Sequence, residues 1–354
     1  MNKNFWMNKK VLVTGHSGFK GCWLTKWLDM MGAKIVGFSL PPELKEDYTI
    51  SQLQLSSNFT EISGDVRRTE ELNAVYKYAP DIVIHLAAQA FVGKAKECPA
   101  ETFETNLMGT VNLLEGLRKV DSVKSIVIVT SDKVYENREV MTGYTESDYL
   151  MGNEAYSCSK VCEEQAAKAY YESFFKQKGV GVATARASNT FGGGDYHFDR
   201  LIPYLEKCAY EGTVPTIRNP QSIRPWQYIL DLLRGYLTLA ERLYEDPETY
   251  AGSYNFGPAK DELYTVGEIS ALICGQNITG RKQEYYEAGL LLIDSSKSLS
   301  VLGWQPIYGV KEGIAQTTES YRAYFSGKEA KQIYEEAICC YEQKLEDDNE
   351  AGKL

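Results

Sequence analysis

Short apolar runs recur through the first half of the chain, each followed by a stretch of helical periodicity. Residues 10–14 (KVLVT), 34–39 (KIVGFS), 81–87 (DIVIHLA), 125–130 (SIVIVT) and 181–186 (GVATAR) are such runs, with a less regular one inside 59–65. Helices are predicted over 18–31, 69–78, 101–119 and 155–178. Strands this apolar, alternating with helices, belong to a parallel sheet covered on both faces and joined by right-handed crossovers. The predicted fold class is therefore α/β, a doubly wound parallel sheet. After Asn189 the rhythm breaks, and glycine, proline and aromatic residues crowd between Phe191 and Trp226. A smaller C-terminal lobe is expected there.

The first run ends in Thr14-Gly15-His16-Ser17-Gly18-Phe19-Lys20-Gly21. Gly15 permits a tight turn, Gly18 lets a pyrophosphate approach the backbone, and Gly21 allows close helix–strand packing. The free amides and dipole of the following helix attract phosphates. Glycines at this spacing, inside a βαβ unit, predict a Rossmann-type dinucleotide site. The second run ends Gly37-Phe38-Ser39-Leu40-Pro41, with neither an acid for the ribose nor an arginine for a 2′-phosphate. That position leaves NAD and NADP undecided. Asp65, with Val66 beside it, is a candidate for the adenine.

The division expected is a dinucleotide-binding domain over 1–189 with a return segment at 229–252, a mainly substrate-binding lobe over 190–325, and an acidic tail over 326–354, helical or disordered. The 354 residues carry a net charge of −10, which argues against non-specific binding to nucleic acid or anionic membranes. No apolar run approaches the roughly 20 residues of a membrane span, and the first ten residues lack the apolar core of a signal peptide. A cytoplasmic location and reduced cysteines are expected. Cys158 and Cys162 lie four apart, but no second ligand pair is near in a chain with three histidines, so no metal is expected.

Tyr156 and Lys160 stand one helical turn apart on one face. The ammonium would make the phenol a usable base beside a nicotinamide. Ser131 follows the fifth run, where a parallel sheet binds ligands. The glycine loop, Leu86-Ala87-Ala88-Gln89, Asn106, Thr130-Ser131 and Tyr156/Lys160 together resemble the extended short-chain dehydrogenase/reductase family over about residues 8–325. The resemblance implies bound NAD held by Gly15, Ser17, Gly18, Phe19, Lys20, Gly21, Asp65, Val66, Leu86 to Gln89, Asn106, Thr130, Tyr156 and Lys160. It also implies a nucleotide-sugar substrate and a homodimer built on the two long helices.

Lys20, the segment Thr130 to Asn137, Gly192 to Asp195, Asp199 to Pro203 and Arg218 to Gln227 are similar to the CDP-glucose 4,6-dehydratase subfamily. That likeness implies CDP-glucose as substrate and a catalytic set of Ser131, Asp132, Lys133, Tyr156 and Lys160. Tyr156 would take the carbon-4 hydroxyl proton, a neutral Lys133 the carbon-5 proton, and a protonated Asp132 would release the carbon-6 hydroxyl as water. Burial is expected to push both Asp132 and Lys133 toward neutrality. Arg224 is the foremost pyrophosphate ligand, because its forked donors match phosphate oxygens. Arg200, Arg218, Asn189 and Leu201 are further substrate-binding candidates. His85, inside an apolar run, reads as a core histidine. The sequence departs from the subfamily at Gly93-Lys94-Ala95, where Arg-x-Ser is usual, and at Tyr228, where histidine is common. A 4-epimerase, which needs no Asp132/Lys133 pair, and a non-catalytic NAD(P)-binding regulator are the alternatives.

Overall fold

The computed structural model describes residues 2–41, 49–275, 279–280 and 288–352. Strands β1 (Lys10–Thr14), β2 (Lys34–Ser39), β3 (Phe59–Ser63), β4 (Ile82–His85), β5 (Ser125–Val129), β6 (Gly181–Ala187) and β7 (Gly252–Phe256) form one sheet. Its spatial order is β7-β6-β5-β4-β1-β2-β3 and every pairing is parallel. The alternation of side chains sorts each strand between two cores. Val11 and Val13 of β1 and Val127 and Val129 of β5 join one core, while Leu12, Ile126 and Ile128 join the other. The chain order reverses between β1 and β4, and the crevice at their carboxyl ends is where such a sheet receives a dinucleotide.

Six strands coincide with the apolar runs. The seventh, Gly-Ser-Tyr-Asn-Phe, is too short and polar to stand out by pattern. It follows the almost wholly buried helix Ile229–Glu245, so the return to the sheet extends to Phe256. The two long helices each contain a π turn, Glu104–Met108 and Tyr171–Phe175.

Beyond β6, Asn189–Phe191 pairs with Trp226–Tyr228, and Ile223–Arg224 pairs with Tyr264–Thr265. The helices Leu201–Glu211, Val266–Cys274 and Val310–Phe325 complete this region. Tyr228 is a core residue, its ring against Phe191 and Tyr308.

The acidic C-terminal stretch is the helix Ala330–Glu350, and it packs on the sheet domain. Tyr334 stacks on Trp23 with ring centroids 3.8 Å apart. Tyr341 donates to Asp231 at 2.7 Å and accepts from Arg234 at 3.0 Å. Glu335 pairs with Lys26 at 2.7 Å, and Glu342 accepts from the Trp27 indole at 2.9 Å. Of the two expectations for this acidic stretch, helical or disordered, the helix is found, and two of its acids, Glu335 and Glu342, are partners of groups on the helix Phe19–Met30.

Candidate active site

The glycine loop lies over the carboxyl ends of β1 and β4. Gly15 has φ +73, and a Cβ there would stand 2.7 Å from the Ala87 nitrogen. A Cβ on Gly21 would meet the Gly15 carbonyl at 2.1 Å, so the helix can approach only with glycine at that position. At Gly18 a Cβ would find only the Gly15 carbonyl, at 3.5 Å, which leaves the loop open on its outer side. The helix Phe19–Met30 begins there without any side-chain cap. Its first-turn amides and positive dipole end remain for an anion. These residues fit a dinucleotide pyrophosphate.

The end of β2 is linked to an acid on β3 through His16. Ser39 Oγ accepts from the Ser17 amide at 3.2 Å and its hydroxyl at 3.0 Å, and lies 3.0 Å from His16 Nδ1. His16 Nε2 is 3.0 Å from Glu61. Burial holds the His16 pKa below its ordinary value, against the opposing pull of Glu61. No sequence signal short of pairing β2 with β3 connects His16 to Glu61. Asp65 is bound by Arg67 at 2.8 and 2.6 Å. Burial pushes its carboxyl up, but the Arg67 hydrogen bonds outweigh this and keep it below the usual carboxylate range. Val66 is buried beneath Gly109.

Three expected cofactor contacts spend their side chains internally. The Gln89 amide donates to the Phe91 carbonyl at 3.1 Å and to Thr102 at 3.0 Å. Asn106, in the π turn, accepts from the Gln89 backbone at 2.8 Å and donates to Ser159 at 2.8 Å. It thereby ties the Leu86–Gln89 segment to the helix Ala155–Tyr170. The Thr130 hydroxyl donates to Glu164 at 2.6 Å, in a buried cluster that Arg186 completes at 3.0 Å. Leu86, Ala87 and Ala88 are half-buried at the end of β4.

Ser131 follows β5 and caps the short turn Asp132–Val134, accepting from the Lys133 amide at 3.2 Å and donating to Asp132 Oδ1 at 3.0 Å. Asp132 is buried and its Oδ2 has no hydrogen-bond partner. Burial raises its pKa, opposed by Lys133, Ser131, Lys20 and Arg224. Lys133 departs from expectation, because its side chain is exposed and burial acts on Asp132 alone. Its Nζ stands 5.9 Å from the Tyr156 ring centroid. The helix Ala155–Tyr170 begins in a capping box closed by Glu154 and Ser157, which fixes Tyr156 in its first turn. One turn on, Lys160 is 2% exposed and donates to the Val129 carbonyl at 3.1 Å. Lys20 belongs to the same electrostatic group: burial and the charges of Arg200 and Lys160 push its amine down to about 7.

Of the arginines, Arg224 is buried and acts electrostatically on Asp132. Arg200 is half-exposed, held by Asp195 at 2.9 Å and lying 4.9 Å from the Phe91 ring. Phe91 also meets His197, at 5.3 Å between centroids, so the departing segment after Gln89 docks on the lobe through this residue. A Cβ on Gly93 would meet nothing within 4 Å. Asn189 lies on the strand paired with Trp226, Leu201 is half-buried, and Arg218 is exposed. His85 is a core histidine, 2.6 Å from Thr14 and 2.9 Å from Thr110, and burial pushes it down to about 3.

The sequence model of the GDP-mannose 4,6 dehydratase family matches residues 12–317. The chain belongs to this family. Within the extended short-chain dehydrogenases/reductases, this dehydratase chain is 39% identical to the CDP-glucose 4,6-dehydratase of Salmonella typhimurium, across 98% of each chain. Among solved structures it resembles the dTDP-glucose 4,6-dehydratase of Bacillus anthracis in complex with NAD, with TM-score 0.76 and 23% identity over 90% of this chain and 98% of that one. It resembles equally the UDP-glucose 4-epimerase of Thermotoga maritima with UDP-glucose, with TM-score 0.78 and 21% identity over 89% and 99%. The fold is thus common to dehydratases and epimerases, and the reaction must be argued from the site.

Proposed function

We propose that the chain is an NAD-dependent CDP-glucose 4,6-dehydratase, a lyase that converts CDP-D-glucose to CDP-4-keto-6-deoxy-D-glucose for deoxysugar biosynthesis. The observation that carries the reading is the buried Asp132 carboxyl with an unpartnered oxygen, in the electrostatic reach of Lys20, Lys133 and Arg224. An epimerase has no use for such a group. The 39% identity across nearly the whole of both chains supports the same reaction and the cytidine nucleotide.

NAD would be held by the Gly15–Gly21 loop, with Ser17, Asp65, Val66, Leu86 to Ala88, Tyr156 and Lys160 around it. The carboxylate of Glu61, linked to Ser39 through His16, favours an unphosphorylated ribose. When bound, the nicotinamide supplies a reversible hydride acceptor, taking hydride from carbon 4 and returning it to carbon 6. Tyr156 takes the carbon-4 hydroxyl proton, with Ser131 sharing it. The ketone so formed acidifies the carbon-5 proton, which is assigned to Lys133. Substrate binding must supply the burial that this exposed amine lacks in the free chain. Asp132, whose carboxyl burial pushes toward the protonated form, gives its proton to the departing carbon-6 hydroxyl. Arg224 is the pyrophosphate ligand, with Asn189, Leu201 and Arg200 at the lobe's edge of the site and Arg218 the outermost candidate.

The assembly is assigned as a homodimer through the two long helices, which expose Met108 and Phe174, and the location as the cytoplasm. No helix among the described residues is long and apolar enough to cross a membrane. The decisive test incubates the protein and NAD with CDP-glucose, dTDP-glucose or UDP-glucose and reads product mass. Loss of one water from CDP-glucose is expected. Loss only from another nucleotide would move the specificity, and inversion at carbon 4 without water loss would make the chain an epimerase.

A further inference from the structure

Glu163 is fully buried, three residues beyond Lys160 on the same helix face. Its Oε2 stands 2.7 Å from Lys160 Nζ, and its Oε1 accepts from Thr110 at 3.1 Å. Burial raises the Glu163 carboxyl above its ordinary value and the charge of Glu164 adds to this, while the contact and charge of Lys160 and the Thr110 hydrogen bond pull it back toward the carboxylate. On β4, His85 touches the same Thr110 hydroxyl but is kept neutral by burial. Beyond it, Thr14 of β1 completes an uncharged chain at 2.6 Å. The neighbouring Glu164 on the helix is taken by Arg186, Thr130 and Thr184, at 3.0, 2.6 and 2.7 Å. On the other side of Lys160 the charges are mostly cationic: Lys20, whose amine is depressed partly by Lys160 itself, then Lys133 and Arg200, with Asp132 the acid among them. An ammonium that is 2% exposed in such company needs an anion in contact with it to stay charged.

We propose that Glu163 is a positioning residue for the Tyr156–Lys160 pair: its carboxylate is the counter-ion that keeps Lys160 an ammonium and pins it against the Val129 carbonyl. The assignment rests on the reading of Tyr156 and Lys160 as the acid–base pair. Two of the three ammonium donors are thereby directed to Glu163 and Val129, and one remains for the cofactor and the phenol.

The test follows the Lys160 side-chain resonance with pH in full-length protein carrying isotope-labelled lysine, the signal being assigned by its loss in Lys160→Arg. In Glu163→Gln, which keeps the shape and the Thr110 contact, the Lys160 titration is expected to fall by about three pH units, as loss of a unit charge about 4 Å away requires at an effective dielectric near 20. Glu163→Asp, which keeps the charge and folds if the amide variant does not, should shift it by less. In turnover, Glu163→Gln should lower kcat at neutral pH about tenfold with KM nearly unchanged, whereas a structural role alone would move only the melting temperature. Coincident Lys160 titrations in wild type and Glu163→Gln would overturn the proposal. Because the resonance needs no substrate, a wild type that loses no water from CDP-glucose would sink the proposed reaction and leave this result standing.

Discussion

Ending the chain at Gly327 would remove the helix Ala330–Glu350 and nothing that touches the catalytic residues directly. The side chains lost include Ile333, Tyr334, Ile338 and Tyr341, each no more than 6% exposed. Burial of a large apolar side chain contributes about 1.5–3 kcal/mol, so these four contribute on the order of 6–12 kcal/mol. That equals most of the roughly 5–15 kcal/mol by which a folded domain is stable. The deletion also uncovers Trp23 and Trp27 and strips Asp231 of its Tyr341 hydrogen bond. Truncated protein should therefore be insoluble or lack a cooperative thermal transition by circular dichroism. The single change Tyr334→Ala should cost about 3–5 kcal/mol. It should also weaken NAD binding, because Trp23 lies on the helix whose first turn faces the cofactor and donates to the Gly193 carbonyl at 2.8 Å. A truncated chain that melts within a few degrees of the full-length protein would refute this account and make the terminal helix dispensable to the fold.

Three further outcomes are expected. Asp132→Asn should reduce water loss from the sugar nucleotide by about 10²–10⁴-fold while hydride exchange at carbon 4 continues; equal loss of both, followed by mass and by nicotinamide absorbance, would remove Asp132 from the elimination step. Gly21→Ala places a Cβ 2.1 Å from the Gly15 carbonyl and should abolish NAD binding measured by calorimetry, whereas unchanged affinity would mean the loop is not the pyrophosphate site. Burial pushes Asp231 up to about 6, against Arg234, the Ile307 and Tyr308 amides and Tyr341. Its proton is bound more tightly in the folded chain, so its contribution is complete below the unfolded value near 3.9 and is lost as pH rises through about 6, an effect on the order of 3 kcal/mol. Asp231→Asn should flatten that part of the melting temperature–pH curve, and an unchanged slope would assign the dependence to other groups.

What the sequence determined by itself is whatever depends on neighbours a few residues away. Six strands are apolar runs, and the glycine loop must follow the first of them because only glycine at 15 and 21 lets the helix lie against the ends of β1 and β4. Tyr156 and Lys160 share a face because a helix repeats every 3.6 residues. Ser131 and Asp132 are delivered by the end of β5. The tertiary structure decided the rest, through contacts between residues far apart in the chain. β7 exists because β6 offers an open edge and the helix Ile229–Glu245 returns the chain to it. The acidic terminus is a packed helix because Trp23, Lys26, Trp27 and Asp231 supply its partners, and composition alone cannot tell a paired acid from a solvated one. Gln89, Asn106 and Thr130 stand at the cofactor crevice by sequence, yet their side chains turn inward to buried partners that only folding brings near. Lys133 and Asp132 are adjacent in sequence and differ in burial, a property of everything packed around a side chain, and burial raises the Asp132 carboxyl.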